Sequence, residues 1–356
     1  MTVSPVPIVD LRGAPRDRGR AHGEALRAQI ATVRGQWRDS LASRFGSNPD
    51  FFIETFLAET RFVDAIRRST PALMDEIEGI AEGSGRPLAE TVAFQCMDEE
   101  WWFGATRFGR KAGAATGCSV IASAGRSGHL PILAQNMDLH GYLDGGQAVI
   151  RISGGDQPDA TILTICGMIA LCGANDLGVG VAVNTLWQLP SAADGLPVAC
   201  VVRSLLAQRN LSEATRWIES AHHASGQHYI IGDPAGFASF EASGTSVRAV
   251  RWTSASSSYV HTNHPLVGSA PPNPAEEDSR GRYQTLRHLV ADKALTVAEV
   301  EAALADRSGP YPISVRRDPN KPGRTMTFAS IVMELDRPPK IRISGGPPCS
   351  NAYHAL

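Results

Sequence analysis

The hydrophobic period of the chain switches from helical to strand spacing near residue 117, and this switch limits the folds that the chain can adopt. Before it, apolar residues recur at spacings of three and four, which indicates one buried face of a helix. They are Leu26, Ile30, Val33, Trp37 and Leu41. After it, short β-branched or alternating runs predict strands. The first of these runs are CSVIAS, LPILAQNMD, QAVIRIS and ATILTIC.

Residues 103–117 join the two parts and contain little that could be buried. The stretch FGATRFGRKAGAATG holds four glycines, four alanines and three basic residues. Such a composition predicts an exposed, flexible connection. We therefore expect a helical N-terminal segment over residues 1–117 and a second segment over residues 118–356, which together form one domain.

Further blocks of helix and strand follow. Thr70-Pro71 predicts the start of a helix, and Thr296 with Glu299 forms a capping-box pattern at the start of another. Additional strand runs are GVGVAVNTL, HYIIGD, FASFEA, SVRAVRW, SSYVHTN, TFASIVMEL and KIRIS. The order helix, sheet, helix, sheet predicts the α+β class, with two stacked antiparallel sheets and helices outside them in a four-layer αββα arrangement.

Charge and hydropathy exclude several classes of protein. The 356 residues carry 34 basic and 36 acidic side chains, a formal net charge of −2, so nothing attracts the chain to nucleic acid or to an acidic membrane. No apolar run approaches the roughly 18 residues of a membrane span. The first residues lack a basic stretch followed by an apolar one, so no secretion signal is predicted and we expect a cytoplasmic protein.

The cysteines and histidines do not form a metal pattern. Six scattered cysteines include no C-x-x-C pair, so neither a zinc site nor a dithiol redox site is indicated. The residues around Cys166, Cys172 and Cys200 in the sequence are aliphatic, which predicts that these three cysteines are buried in the hydrophobic core. The pair His261 and His264 lacks a third ligand at suitable spacing. We expect structural histidines, no metal and no cofactor.

Gly117-Cys118 combines a flexible junction with a nucleophile. A thiol directly after a glycine can attack the preceding carbonyl, because glycine does not obstruct the attack and tolerates unusual dihedral angles. Cleavage would make Cys118 a new N-terminus with an α-amine of pKa about 7.7–8.0, which can serve as base for its own thiol. A core cysteine at the start of a strand is the alternative interpretation.

The order of several motifs adds to this interpretation. The motifs are RGAPRDRGRAHGEALRAQI, GIAEGSGRPLAETVAFQ, TGCSVIAS, AQNMD, HTNHP, GRTMTFASIVMEL and GGPPC. Over nearly its whole length the sequence resembles the acyl-coenzyme A:6-aminopenicillanic acid acyltransferase family of cysteine N-terminal-nucleophile enzymes. The resemblance implies an αββα fold, self-cleavage between Gly117 and Cys118 and catalysis by Cys118. The two chains produced, residues 1–117 and the catalytic 118–356, are expected to stay associated, and homo-oligomerisation is left open.

The same resemblance implies roles for four further residues. Asp138 in AQNMD would orient the Cys118 amine, and Asn263 in HTNHP would donate its amide to the oxyanion of a tetrahedral intermediate. Both also fit turns, after a strand and before Pro265 respectively. Of Arg324 and Arg316, one would bind a substrate carboxylate or support processing, with Arg324 the first candidate and surface charge the alternative for Arg316. Neighbouring Arg317 makes the position of Arg316 ambiguous by one residue.

Two features near the linker differ from the family pattern or stay ambiguous. FQCMDEE, which ends at Glu100, stands where a polar Asn-x-Arg pattern is expected, so recognition of substrate by this segment is uncertain. The pair Trp101-Trp102 can line a pocket or pack the core.

Three functions are compatible with the sequence. The first is hydrolysis of a small amide, an N-acyl amine or N-acyl amino acid, through a thioester on Cys118. The second is an acyl-coenzyme A-dependent N-acyltransferase that uses the same nucleophile. The third is a non-catalytic binding protein in which Cys118 is a core residue. The identity of the small-molecule substrate is beyond the sequence, because one fold serves many substrates.

Overall fold

The structure of the protein is a computed structural model that describes residues 6–109, 117–125, 128–251, 257–268, 276–291, 293–321 and 323–356. Within these ranges, none of the helices combines the length and the apolar character that crossing a membrane requires.

The N-terminal segment consists of one strand followed by a series of helices. In chain order these are β1 (Ile8–Arg12), α1 (Pro15–Ala25), α2 (Arg27–Phe45), α3 (Pro49–Glu59), α4 (Phe62–Ser69), α5 (Pro71–Ser84), α6 (Leu88–Gln95) and α7 (Glu99–Phe108). The predicted helix with apolar positions 26–41 is α2, whose buried residues include those positions from Ile30 to Leu41. The helix predicted at Thr70-Pro71 is α5, with Pro71 at its first position.

The second segment contains the remaining strands and four helices of the described chain. Its first half comprises β2 (Gly117–Ser123), β3 (Ile132–His140), β4 (Gln147–Ser153), β5 (Ala160–Ile165), β6 (Cys172–Asn175), β7 (Gly180–Thr185), α8 (Val198–Leu206) and α9 (Leu211–Ser220). Its second half comprises β8 (Gln227–Asp233), β9 (Gly236–Ala242), β10 (Val247–Ala249), β11 (Ser258–His261), α10 (Glu277–Val290), α11 (Val297–Leu304), β12 (Thr325–Glu334), β13 (Lys340–Ser344) and β14 (His354–Ala355). The predicted capping box at Thr296 and Glu299 is present at the start of α11.

Two sheets stack face to face. The eight-stranded sheet has the order β1-β4-β5-β6-β7-β8-β9-β10, and the six-stranded sheet has the order β11-β2-β3-β12-β13-β14. Gln135 of β3 joins them, because its side-chain oxygen accepts a hydrogen bond of 3.2 Å from the Val183 backbone N–H of β7. Val120 and Ala122 point into the large core between the sheets, whereas Ile121 packs with α10 and α11 on the opposite face. This period of two is the pattern that the sequence predicted for strands.

The predicted α+β class with two stacked sheets is therefore confirmed, with two corrections. The N-terminal segment is not purely helical, because β1 pairs in parallel with β4 and so adds a parallel edge to an otherwise antiparallel sheet. Residues 103–108 are not linker but the end of α7, since Phe103 and Phe108 pack against Phe52. Residues 110–116 of the predicted connection lie outside the described residues.

Helices α1 and α5 approach each other through glycines. Gly19 and Gly23 lie one turn apart on α1, and Gly79 and Gly83 lie one turn apart on α5. A methyl group on Gly79 would overlap the backbone carbonyl oxygen of Arg16, and one on Gly19 would overlap that of Glu76. Backbone rather than a flexible side chain blocks the space, so neither helix can accommodate a larger residue without moving.

We expect Gly79→Ala to lower the free energy of unfolding by about 1–3 kcal/mol, the usual cost of overpacking. The matched control is Gly35→Ala in α2, where a methyl group would meet no atom within 4 Å. Because alanine is the better helix former, that control should be neutral or stabilising by about 0.5–1 kcal/mol. Urea unfolding followed by circular dichroism measures both. Equal stability of the two variants would contradict the close approach of α1 and α5.

Candidate active site

Gly117 and Cys118 form the first two positions of β2, beside the end of β3. Gly117 pairs with Asp138, and Cys118 pairs with Met137. A methyl group on Gly117 would lie 3.1 Å from Nη2 of Arg282 and 3.3 Å from Oδ2 of Asp138. Such contacts are tighter than ordinary van der Waals contact, so the site favours glycine directly before the cysteine.

Asn263 holds the backbone nitrogen of Cys118. It follows β11, which pairs with β2, and this pairing brings the HTNHP segment beside the start of β2. Its Oδ1 accepts a hydrogen bond of 2.6 Å from the Cys118 N–H. Its Nδ2 donates to the Thr185 carbonyl oxygen at 3.1 Å, and its own N–H donates to Oγ of Ser279 at 2.7 Å. Three polar groups therefore fix both its backbone and its side chain.

Arg282 on α10 binds three parts of the same site. Its Nη1 donates to the Cys118 carbonyl oxygen at 2.9 Å and to Oγ of Ser119 at 3.0 Å. Its Nη2 donates to Oδ1 of Asn263 at 3.0 Å, and its Nε donates to Oδ2 of Asp278 at 2.8 Å. The side chain is 2% exposed, so the cation is held almost out of water by these contacts.

Sequence reasoning missed Arg282, although a signal for it existed. Arg282, Leu286 and Val290 follow one another at four-residue spacing, and all three are buried on the inner face of α10. An arginine on the apolar face of a predicted helix must meet acceptors inside the protein, because an unpaired buried charge is very costly.

Asp138 lies buried beside Gly117. Its Oδ1 accepts a hydrogen bond of 2.6 Å from Oγ1 of Thr327 on β12. Burial is the largest influence and raises its pKa to about 7, while the Arg282 cation and the Thr327 hydroxyl act in the opposite direction. The carboxyl group can therefore hold or release a proton near neutral pH.

The Cys118 thiol faces an apolar cavity. Burial, followed by the charge of Asp138, raises its pKa to about 12, so in the intact chain the sulfur keeps its proton. Water-sized spheres can occupy about 40 Å³ of the cavity. Its lining is Met97, Asp98, Cys118, Met137, Leu139, Ile165, Met168, Ala170, Leu171, Val183, Thr185, Val198, Ala199 and Val202. A base is needed before this thiol can act as a nucleophile.

The structure therefore brings together Cys118, Asp138 and Asn263 but not the two predicted arginines. The side chains of Arg316 and Arg324 are exposed, and in the described residues neither contacts those three. Arg316 instead lies near Cys349, whose pKa it helps to lower, and the Arg324 carbonyl accepts from the Gly141 N–H at 2.8 Å. Their proposed role at a substrate carboxylate stays a prediction.

The remaining cysteines and Trp101 lie in packed surroundings. Cys166, Cys172 and Cys200 are buried, as predicted for core cysteines. Trp101 is 7% exposed and packs on His140 and Trp187, with ring centroids 5.0 and 5.9 Å away. Over the described ranges, no group of three or more His, Cys, Asp or Glu side chains is arranged to hold a metal ion.

Two solved structures align with this chain at low similarity. A mutant of the conjugated bile acid hydrolase from Clostridium perfringens is 13% identical, with 67% of this chain and 92% of that chain covered and a TM-score of 0.47. The penicillin V acylase from Agrobacterium tumefaciens is 18% identical, with 64% and 83% covered and a TM-score of 0.41.

The sequence pattern of a known enzyme family covers more than half of the chain. The pattern of the family described as acyl-coenzyme A:6-aminopenicillanic acid acyl-transferase matches residues 124–347. This stretch contains Asp138, Asn263 and Arg282 and begins shortly after Cys118. The chain belongs to the acyl-coenzyme A:6-aminopenicillanic acid acyl-transferase family.

Proposed function

We propose that the protein is a self-processing cysteine amidohydrolase that cleaves a small N-acyl amine or N-acyl amino acid through a thioester on Cys118. One observation carries the proposal. The backbone nitrogen of Cys118, which cleavage would free as an amine, is hydrogen-bonded to Asn263, while the thiol of the same residue faces a cavity. Base and nucleophile would thus belong to one fixed residue.

Processing begins with attack of the Cys118 sulfur on the Gly117 carbonyl carbon. The thiol proton passes to a base, which gives it to the departing Cys118 nitrogen as the Gly117–Cys118 amide bond breaks, and a thioester forms between Gly117 and the sulfur. Asp138 is the nearest candidate base, because Oδ2 lies beside Gly117 and its carboxyl group titrates near neutral pH. Water then cleaves the thioester, which leaves a Gly117 carboxylate and a free Cys118 amine.

Turnover uses that amine. It takes the thiol proton, the sulfur attacks the amide carbonyl of the substrate, and the proton passes to the departing amine. Water hydrolyses the resulting thioester and releases the acid. Arg282 assists, because a cation bound to the same Asn263 oxygen as the amine disfavours a second positive charge there. The amine is thereby kept neutral and able to accept a proton.

Asn263 has two roles that the geometry separates. Its Oδ1 faces the Cys118 N–H and Arg282, which are both donors, so the oxygen must point towards them. Its Nδ2 faces the Thr185 carbonyl. In this arrangement Asn263 positions the future amine. Donation to an oxyanion requires Nδ2 to serve the substrate as well, since the amide carries two N–H groups.

Acyl transfer to an amine is the second candidate. The sulfur thioester is common to both reactions, and the outcome depends on whether water or an amine reaches it first. Partitioning experiments with added free amines separate the two, because an acyltransferase passes most of the acyl group to the amine.

Replacement of the nucleophile tests the proposal directly. Cys118→Ala should abolish both cleavage and turnover while the fold is retained, whereas Cys118→Ser should process slowly because a hydroxyl ionises less readily. Mass spectrometry of the wild type should show fragments 1–117 and 118–356. Cys349→Ala is the matched control, since this half-buried cysteine lies away from the site, and it should process normally. An active preparation that contains only the uncut chain would contradict catalysis by a free N-terminal Cys118.

Asn263→Ala should lower kcat by about 100- to 1,000-fold, the range for loss of one oxyanion donor. If Asn263 also holds the amine, the acidic limb of the pH–rate profile should move in addition. Asn210→Ala is the control, because Asn210 caps α9 and should affect stability but not turnover. A rise in KM alone would instead identify Asn263 as a substrate-binding residue.

Asp138 should make stability depend on pH in the direction opposite to a salt-bridged carboxylate. Its pKa is about 7 in the folded chain but about 3.9 when unfolded, so the folded state binds more protons between these values. The free energy of unfolding should therefore fall as the pH rises through this window. In a Cys118→Ala background, Asp138→Asn should be more stable than its parent by about 1–4 kcal/mol at pH 8 and equally stable at pH 4.

Urea unfolding at the two pH values measures this effect. The control is Asp64→Asn, whose carboxylate is 58% exposed and should show no such difference. If Asp138→Asn is less stable than its parent at pH 8, Asp138 is held as a stabilising carboxylate and its proposed protonation near neutral pH is wrong.

A further inference from the structure

A second cavity lies where α1 and α5 begin, beside the loop between β4 and β5. Water-sized spheres can occupy about 730 Å³ of it, which is within the range of about 300–1,000 Å³ for small-molecule sites. In the described part of the chain it shares no lining residue with the Cys118 cavity. Val202 of α8 lines the Cys118 cavity, and the next residue, Arg203, lines the second cavity. The two cavities are therefore separate.

Two arginines of the second cavity share one carboxylate. Arg203 donates to the two oxygens of Glu76 at 2.7 and 3.0 Å, and Nη2 of Arg18 donates to Oε2 of the same residue at 3.3 Å. Burial acts to raise the pKa of Glu76, but the two cations outweigh it and lower the pKa, so this carboxyl group is ionised. Burial lowers the pKa of neighbouring His22 to about 4, so it is uncharged at neutral pH. Two cations and one anion leave one positive charge in excess.

The same two arginines keep unused hydrogen-bond donors, although they are only 9% and 6% exposed. A guanidinium carries five N–H groups. Arg203 makes three hydrogen bonds, two to Glu76 and one to the Ile169 carbonyl oxygen at 3.3 Å. Arg18 makes two, to Glu76 and to the Gly13 carbonyl oxygen at 2.8 Å, and its Nε is buried without a partner. Half of these N–H groups therefore lack an acceptor among the described residues.

Two helix N-termini add to the positive potential of the second cavity. Helices α1 and α5 both begin in its lining, and neither has a side-chain cap. The first N–H groups of a helix and its dipole favour an anion. Asp156 and Asp159 also line the cavity, but both are exposed, and neither forms an ion pair with Arg18 or Arg203 in the described structure. Their charges oppose a dianion more than a monoanion, so the cavity favours a ligand with a single negative charge.

Apolar surface forms other parts of the lining. It comes from Pro15, Pro71, Leu73, Pro158 and the half-buried Trp217. Proline rings and the indole offer flat surfaces against which an aromatic ring packs well. A ligand with one anionic group and a flat apolar body would therefore use both kinds of surface that the cavity presents.

We propose that the second cavity binds an aromatic monocarboxylate, whose carboxylate is held by Arg18 and Arg203. Guanidinium groups pair with both oxygens of a carboxylate, and such charge-assisted hydrogen bonds are the strong ones. The ligand would supply the missing negative charge and the missing acceptors at once. This site is independent of Cys118 and goes beyond the proposed amidohydrolase function.

The test measures binding of 2-naphthoate to the wild-type protein by isothermal titration calorimetry. The uncharged counterpart is 2-acetonaphthone, which has a methyl group in place of one carboxylate oxygen. Naphthoate should bind more tightly by about 10-fold or more, because hydrogen bonds to charged groups contribute more than neutral ones. The dianion 2-naphthyl phosphate should bind more weakly than naphthoate. Arg18→Gln should remove the preference for naphthoate over 2-acetonaphthone.

A second variant avoids any loss of the buried ion pairs. Ala72 is exposed, lines the second cavity and is the second residue of α5. Ala72→Asp should fold, because an acidic residue in the first turn of a helix is stabilising. Its tethered carboxylate would compete with the ligand and should weaken naphthoate binding by about 10-fold or more. Ala72→Asn is the matched control, since it adds nearly the same bulk without the charge, and it should bind naphthoate like the wild type.

Three results would overturn the inference. If 2-acetonaphthone binds as tightly as naphthoate, or if Ala72→Asp keeps the wild-type affinity, the second cavity is not an anion site. If 2-naphthyl phosphate binds more tightly than naphthoate, the assignment to a monocarboxylate is wrong. None of these measurements depends on turnover at Cys118, so each failure leaves the proposed function as it stands.

Discussion

The contacts of Arg282 hold the candidate site together. Its guanidinium, on α10, binds both the Cys118 carbonyl and the Asn263 side chain. Cys118 lies in β2, and Asn263 lies in the loop that follows β11. Because the cation is buried, each acceptor must stay in place or leave a charge unpaired. Gly117, Asn263 and the start of β2 are thereby fixed before any substrate arrives, and the energy that orients them comes from folding rather than from binding.

The site also shows how two carboxyl groups acquire different properties from their surroundings. Asp138 is balanced by Arg282 and Thr327 and titrates near neutral pH, which suits proton transfer beside Gly117. Asp98 receives only neutral donors and faces an apolar cavity. Burial raises the pKa of both, but Asp138 has the Arg282 cation nearby, whereas no cation among the described residues pairs with Asp98.

Local sequence patterns predicted much of the fold and the motif residues, but not their partners. Strand alternation identified β2, β4 and β5, and the capping box at Thr296 marked α11, because these signals are contained in a few neighbouring residues. β1 was missed because a five-residue strand among helices has little pattern of its own and depends on β4, far along the chain. The spacing of Arg282 with Leu286 and Val290 marks it as buried, but spacing alone does not say that its acceptors are Cys118 and Asn263, which lie far along the chain.

The pairing of β1 with β4 would matter if the chain is cleaved after Gly117 as proposed. β1 belongs to residues 1–117 and β4 to residues 118–356, so a single sheet would be shared between the two pieces. Their separation would expose a strand edge and the common core, which makes dissociation equivalent to unfolding. Once denatured, however, the pieces would have to find each other again, and refolding would change from a unimolecular to a bimolecular process. Refolding of the cleaved protein would therefore depend on its concentration, whereas folding of the intact chain would not.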